Sequence, residues 1–584
     1  MKKAFAILLA ALMLVVVSPM AQALDVTTGP ASMARFFDAR TSVFISLRID
    51  DDYLNTLSSV VNRIGEKLPT GVLPMGTLPL DIRALLESQL AGAPVTLADV
   101  RGAVGDYVAF AIEDVEAFFA ASNAGQPPES LVIALAVRDR ARLLGLLEAN
   151  IPGLTTEESR GFTIIRPDPT AVIAIGDEVM YIAPTDTSLP LGTRMATLQS
   201  SDGFQASAAA MPAASYNIYG YFAYADLFRA LDTAAGGMGT LGLAPDLMAL
   251  LPNTLALGAT ILDGGVLTID MATDQLVEGV FTTPVTPAFG AFVPNNVDLL
   301  VWSADLNGYV NYLLDILPGS LAATGMSEAQ ARQQIANALE EFTRATGIRL
   351  QDDLLSWMTG DFAIYSTLEL DPLMRLLVAG TLGTRAPNVT GVPVEFGVAI
   401  ATNNPAKTAE TVTKLTTLVR ALVANATGVR VNDVSESGFT GIELIVTVPL
   451  DGPSRTANID ILLGSTDQIF FFGTTSTAQR LLAGDNVLSD PVFARALAYA
   501  PAGRLVQFVY TDGEGFAGLV GIPLIGALTQ GGGFGATREA QADQATITAL
   551  QIIDTLIRAV DHSIIASAIT DSGFTVARAT IALR

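Results

Sequence analysis

The sequence predicts an α+β protein of two homologous tandem copies, each a largely antiparallel sheet with helices packed on it. Three observations carry this expectation. Short β-branched runs gather in pairs around Gly/Asp/Ser turns, with helical periodicity between the groups rather than after every strand. Seven blocks of sequence recur in the same order in the two halves. The chain has 584 residues, of which 50% are hydrophobic and 16% charged, enough apolar material for more than one domain.

Residues 1–23 read as a secretory signal peptide. Lys2 and Lys3 form a basic start, Ala4–Val17 is an unbroken apolar run, and Ala21-Gln22-Ala23 has the small-x-small pattern of a cleavage site. The first α+β repeat is placed at 24–281, a proline-containing hinge (TTPVTPA) at 282–288, and the second repeat at 289–584.

The blocks follow one another in order. "SVFISLRIDDDYLNTL" and "DLLVWSADLNGYVNYL" each read as a strand entering a helix through polar cap residues, Asp50–Asp52 in one and Ser303 and Asp305 in the other. Gly105-Asp106-Tyr107 matches Gly360-Asp361-Phe362 at a strand start. "LVIALAVRDRARLLGLLEAN" and "EFGVAIATNNPAKTAETVTKLTTLV" are each a strand followed by an amphipathic helix. "EESRGFTIIRP" matches "VSESGFTGIELI", and the shared Gly-Phe-Thr (Gly161-Phe162-Thr163, Gly438-Phe439-Thr440) reads as a turn entering a strand, with phenylalanine as a core anchor.

Hairpins are expected around Gly176-Asp177 and Gly464-Ser465. Short helices then carry Phe204 and Phe493. A Tyr-x-Asp strand end aligns Tyr224 and Asp226 with Tyr510 and Asp512, and a closing hairpin sits at Asp263-Gly264 and at Asp571-Ser572-Gly573.

This order of blocks resembles a bacterial family of exported, duplicated proteins known by a domain-of-unknown-function label (family 3352). The resemblance rests on the Gly-Asp-aromatic starts, the Gly-Phe-Thr turns, Gly176, Gly464, Phe204 and Phe493, and spans most of the chain after residue 23. It implies an exported two-copy protein and contributes no catalytic residues.

Composition excludes several chemistries. There is no cysteine, so no disulfide, thiol nucleophile, cysteine metal ligand or lipid-bearing cysteine. The formal net charge is −25, without a basic cluster, which disfavours nucleic acid and anionic lipid and allows at most weak collection of cations. The expected product is soluble and exported to the periplasm or beyond, with no transmembrane span and no lipid anchor. The sole histidine, His562, lies outside any nucleophile-elbow context and reads as a capping or surface residue. Asp50, Asp51 and Asp52 lack the alternating spacing of a calcium loop and read as helix caps.

The repeated acids Asp106 with Asp361 and Asp226 with Asp512 could serve a carboxylate-based hydrolase if one pair approached across the interface between the halves, but each follows a strand or turn boundary and reads first as a turn cap. The glycines Gly531, Gly532, Gly533 and Gly535 lack a phosphate-loop ending, so no cofactor is expected.

The remaining signal is apolar. "LDTAAGGMGTLGLAPDLMALLP" and "FAGLVGIPLIGALTQGGGFGA" occupy the same place in the two halves, as buried helices or as flaps over an apolar ligand. The expectation is a non-enzymatic binding or scaffold protein of the bacterial cell envelope, its partner an envelope protein or hydrophobic ligand. The alternatives are a carrier of a hydrophobic small molecule or lipid and a carboxylate-based hydrolase. No catalytic, cofactor or metal residue is assigned.

Overall fold

The computed structural model describes residues 24–67, 81–91, 94–126, 128, 130–151, 153–168, 171–191, 196–234, 252–262, 264–274, 282–322, 326–369, 394–450, 455–519, 554–555 and 557–584. Met1–Ala23, most of both apolar segments and the glycines at 531–535 lie outside these residues.

The N-terminal half runs β1 (Val43–Arg48), α1 (Asp51–Lys67), α2 (Ile82–Gln89), α3 (Leu97–Ala103), β2 (Val104–Ile112), α4 (Val115–Asn123), β3 (Leu131–Val137), α5 (Arg140–Asn150), β4 (Thr156–Ser159), β5 (Phe162–Asp168), β6 (Ala171–Ile175), β7 (Val179–Ala183), α6 (Asp202–Ala210), β8 (Ile218–Ala223), α7 (Tyr224–Ala234), β9 (Thr254–Leu262) and β10 (Val266–Thr273). The C-terminal half runs β11 (Leu299–Ala304), α8 (Leu306–Ala322), α9 (Glu328–Thr346), β12 (Asp361–Leu368), β13 (Val394–Ala401), α10 (Pro405–Val423), β14 (Val429–Glu436), β15 (Phe439–Leu450), β16 (Arg455–Ser465), β17 (Ile469–Thr474), α11 (Thr475–Ala483), α12 (Pro491–Ala498), β18 (Arg504–Asp512), β19 (Val560–Ile569) and β20 (Thr575–Leu583). The fold is α+β.

Helix starts follow their caps. Asp81, Thr96, Asp114, Asp139, Ser327 and Asn404 each accept a first-turn amide, and Thr96–Asp99 and Ser327–Gln330 are reciprocal capping boxes. Asp50 and Asp305 accept from Tyr53 N and Gly308 N at 2.9 Å in equivalent places, so these aspartates cap helices.

Among the described residues all strand pairings are antiparallel and join the strands into one sheet. Its spatial order is β4-β5-β6-β7-β3-β2-β1-β8-β9-β10, then β20-β19-β18-β11-β12-β13-β17-β16-β15-β14. Read inward from either edge, the strands of each half come in the same order, and β10 pairs with β20 at the centre. The recurring Gly-Phe-Thr block is a two-residue hairpin turn in both halves. Arg160-Gly161 (φ 52 and 82) joins β4 to β5, and Ser437-Gly438 (φ 50 and 81) joins β14 to β15. Left-handed conformation at both central positions is the type I′ turn that matches strand twist, and only glycine adopts it without cost.

One face of the sheet, here the inner face, carries the two largest cores. In the N-terminal half Phe44, Ala109, Ala134, Tyr181, Tyr219 and Tyr221 pack under Phe37, Leu198 and Phe204. In the C-terminal half Leu300, Trp302, Ala363, Ala399, Phe471, Phe508 and Tyr510 pack under Phe289, Val487 and Phe493. The Phe204 ring meets Tyr219 and Tyr221 at 5.7 and 5.5 Å, and the Phe493 ring meets Phe508 and Tyr510 at 5.6 and 5.3 Å.

These contacts correct the alignment of the Tyr-x-Asp block. The counterpart of Tyr510 is Tyr221, not Tyr224, so Asp512 corresponds to Ala223 and Asp226 to Gly515. The string match followed a local likeness, whereas inward phase on the strand decides equivalence. The hairpin glycines are likewise offset: Ile175↔Met180 corresponds to Ser465↔Phe470, which sets Gly176 opposite Thr466 rather than Gly464. Both glycines nonetheless lie under the turn phenylalanine, because a Cβ on Gly176 would overlap Phe162 and one on Gly464 would overlap Phe439.

Residues 282–288 are tied to the C-terminal half. Val285 is buried in its core and donates its amide to Leu505 O at 2.8 Å, and Thr286 N donates to Asp361 at 2.8 Å.

Candidate functional site

The sheet topology decides which of the repeated acids can meet. Strands β8 and β18 are five steps apart and run in opposite directions, so Asp226 and Asp512 lie at opposite ends of the sheet, about 24 Å apart across it. Strands β2 and β12 are farther apart still. Asp106 is half-buried and pairs with Arg138 at 2.6 Å, Asp226 pairs with Arg229 at 2.8 Å, and Asp361 is buried on the Thr286 amide. The sequence-derived pairs are therefore not brought together.

A different carboxyl pair is. Asp298 precedes β11 and Asp512 ends β18, and the Asp512 amide donates to Asp298 O at 3.1 Å. Their carboxyls adjoin and interact with each other. Asp298 also accepts from Leu368 N, and Asp512 accepts from Gly515 N at 2.8 Å. Burial, then the Asp512 charge, pushes the Asp298 carboxyl up to about 7. Burial also raises Asp512. Two like charges removed from water cannot both ionise cheaply, which favours keeping one proton on the pair. Glu514, raised by burial and by Asp512, sits beside them.

His562 lies directly across from Asp512 on β19. It is buried, not at the surface as expected. Its Nδ1 lies 3.0 Å from Asp561, its ring packs 5.9 Å from Tyr499, and burial lowers its pKa. Alternation along β19 turns its side chain to the inner face, which the cap argument from sequence did not consider.

No protein-family model matches the chain, and no curated protein matches it. A solved structure that does, "Structure of crystal form I of TP0453", is 10% identical, covers 42% of this chain and 79% of its own, and superposes with a TM-score of 0.20. A likeness that loose carries no argument.

At the equivalent end of the N-terminal half the residues differ. Ser42 N donates to Ile112 O and Ala223 N to Ser42 O, as Asp298 N does to Ser366 O and Asp512 N to Asp298 O. Ser42 and Ala223 thus stand where Asp298 and Asp512 stand. Here a polar cleft of about 470 Å³ opens, lined among others by Asp38, Arg40, Glu113, Glu116, Asp226 and Arg229. Its two arginines are held by Asp38 and Asp226. Asp298 carried no motif that would have singled it out; its role comes from register alone.

A further buried carboxylate, Asp353, accepts from Arg349 N at 2.8 Å and from Lys407 and Lys414 at 3.3 and 3.0 Å, contacts that hold it well below the usual carboxylate range. It ties the turn at Leu350–Leu354 to α10. Among the described residues no group of three or more acids or histidine could hold a metal ion, and no helix is long and apolar enough to cross a membrane.

The opposite, outer face is covered only in part: Phe362, Ile400 and Phe470 are buried there with Trp357 and with Val412 of α10, and Ile182, Ile45 and Leu257 pack against smaller cores of the N-terminal half. In β17, β13, β12, β11, β18 and β19 the directly opposed residues Phe472, Val398, Ile364, Val301, Val509 and Ile565 form one apolar row. Ile364 is 49% exposed, Ile565 48% and Phe472 37%. The N-terminal half repeats the row as Ile182, Ile133, Phe110, Ile45, Gly220 and Leu257, with Phe110 39% exposed at the place of Ile364.

Proposed function

We propose that the protein is a non-enzymatic binding or scaffold protein of the bacterial cell envelope, built by tandem duplication and exported through its N-terminal segment. The observation that carries this reading is the apolar cross-strand row with its water-exposed Phe110, Ile364, Phe472 and Ile565. Apolar side chains held in register on a sheet and left partly in water mark an interaction surface more often than a core. The matching strand order and the paired rows support duplication, with two copies of one surface on a single sheet.

The same row suits a hydrophobic small molecule, which makes a carrier the second reading. A hydrolase is not favoured. The repeated acids lie far apart, and Asp298 and Asp512 adjoin directly rather than standing the roughly 5–9.5 Å apart that glycoside hydrolysis requires.

The test is the triple variant Phe110→Ser, Ile364→Ser, Ile565→Ser. It should fold, since these side chains are already partly in water, and it should lose a partner recovered from envelope extract by the parent protein. Native mass spectrometry of the gently purified parent separates the readings: a bound apolar small molecule supports the carrier. A folded triple variant that retains every protein and small-molecule partner would sink both.

A further inference from the structure

We propose that the Asp298–Asp512 carboxyl pair is a proton-operated latch that holds the helix starting at Gly513 against the ends of β11 and β12. This goes beyond the binding reading and does not depend on it. Residues 513–519 are helical, and Asp512 is their cap, accepting from Gly515 N at 2.8 Å. The first turn rests on Asp298 itself, because a Cβ on Gly515 would collide with Asp298 O. Asp298 in turn is fixed to β12 at both ends of the residue, by its amide to Ser366 O at 3.0 Å and by its carboxyl to Leu368 N. The adjoining carboxyls, with the Asp512 amide on Asp298 O at 3.1 Å, thus join three elements.

The surroundings do little to neutralise a second charge. Glu514 on the helix and Glu369 after β12 are acidic neighbours, and Tyr510 lies on the same strand. From β19 come Asp561 and His562, which engage each other; from α12 come Asp490 and Arg495, the latter on Asp561 at 3.3 Å. Arg584, at the end of β20, is the cation that favours Asp512 ionisation, and it also lies 3.8 Å from Asp561.

With one shared proton the pair carries a single charge and a hydrogen bond. Without it, two carboxylates beside Glu514 repel in a site largely removed from water. The latched state keeps a proton that an exposed aspartate would already have lost, so latching is favoured below about pH 7 and released above it. The N-terminal half has Ser42 and Ala223 in these positions and lacks the titrating pair, which makes α7 an internal control.

The experiment is hydrogen exchange on the full chain at about pH 5.5 and about pH 8.5, with rates corrected for intrinsic pH dependence. Protection of the amides of residues 514–519 and of Leu368 should fall about tenfold or more at the higher pH, while residues 225–234 stay unchanged. In Asp298→Asn the side-chain amide donates to Asp512 at every pH, so protection should become pH-independent. Asp512→Asn serves the same purpose if the first variant does not fold. Equal protection at both pH values in the parent chain, or an undiminished pH response in the folded asparagine variants, would overturn the latch.

Discussion

Asp270 and Arg578 face each other across the β10–β20 seam, Nε to Oδ1 at 2.9 Å, with both side chains wholly buried. Each lies five residues beyond the left-handed glycine of its closing hairpin, Gly265 or Gly573. They are therefore counterparts, and the antiparallel ladder pairs them directly. The strand order read outward from this pair is the same in both directions. Like residues at that point would set two carboxylates or two guanidiniums against each other in the core. Opposite residues turn the same position into an ion pair, completed by Tyr216, whose hydroxyl donates to Asp270 at 2.5 Å.

Removing one partner should be costly. Arg578→Met leaves Asp270 buried without its cation and is expected to destabilise the chain by about 3–5 kcal/mol. Replacing both, Asp270→Leu with Arg578→Met, should recover most of that loss, because an apolar pair needs no desolvation. Urea denaturation of the two variants checks the order.

The two hairpin turns offer a matched test. Gly161→Val and Gly438→Val each force a β-branched residue to φ near +80°, where L side chains are strained. Each should cost at least about 1 kcal/mol, and the two costs should be similar. Thermal melts of the single variants report this. A large effect at one turn and none at the other would argue against equivalent roles.

Phe204 and Phe493 each hold an aromatic cluster against the inner face and are fully buried. Phe204→Ala and Phe493→Ala are expected to cost about 3–5 kcal/mol apiece. Sites this far apart with no shared contacts should add, so the double variant is expected near the sum.

Burial pushes the Asp361 carboxyl up to about 6, and the Thr286 amide only partly offsets it. The folded state thus holds this proton more tightly than the unfolded chain does. Its contribution to stability is present below the ordinary aspartate pKa and is lost as pH rises through about 6. Melting temperature should fall between about pH 4 and pH 7, and Asp361→Asn should flatten part of that slope. An unchanged slope in the variant would remove Asp361 as the cause.

Much of the architecture was legible along the chain because it is local. Capping aspartates, the left-handed Arg160-Gly161 and Ser437-Gly438 turns, and apolar alternation are properties of a few neighbouring residues. They placed the strands, helices and hairpins. String matching between the halves failed where it ignored strand phase, at Tyr224 and at Gly464.

By itself the sequence determined the α+β class, the turn chemistry, the absence of thiol chemistry and the negative formal charge, since composition and short-range periodicity suffice for these. Only the tertiary structure decided that both halves join in one sheet through β10 and β20, that Asp298 meets Asp512, and that Phe110 and Ile364 occupy matching exposed places. The physical reason is that strand pairing brings together residues hundreds of positions apart, and the chain carries no local mark of which edges will pair.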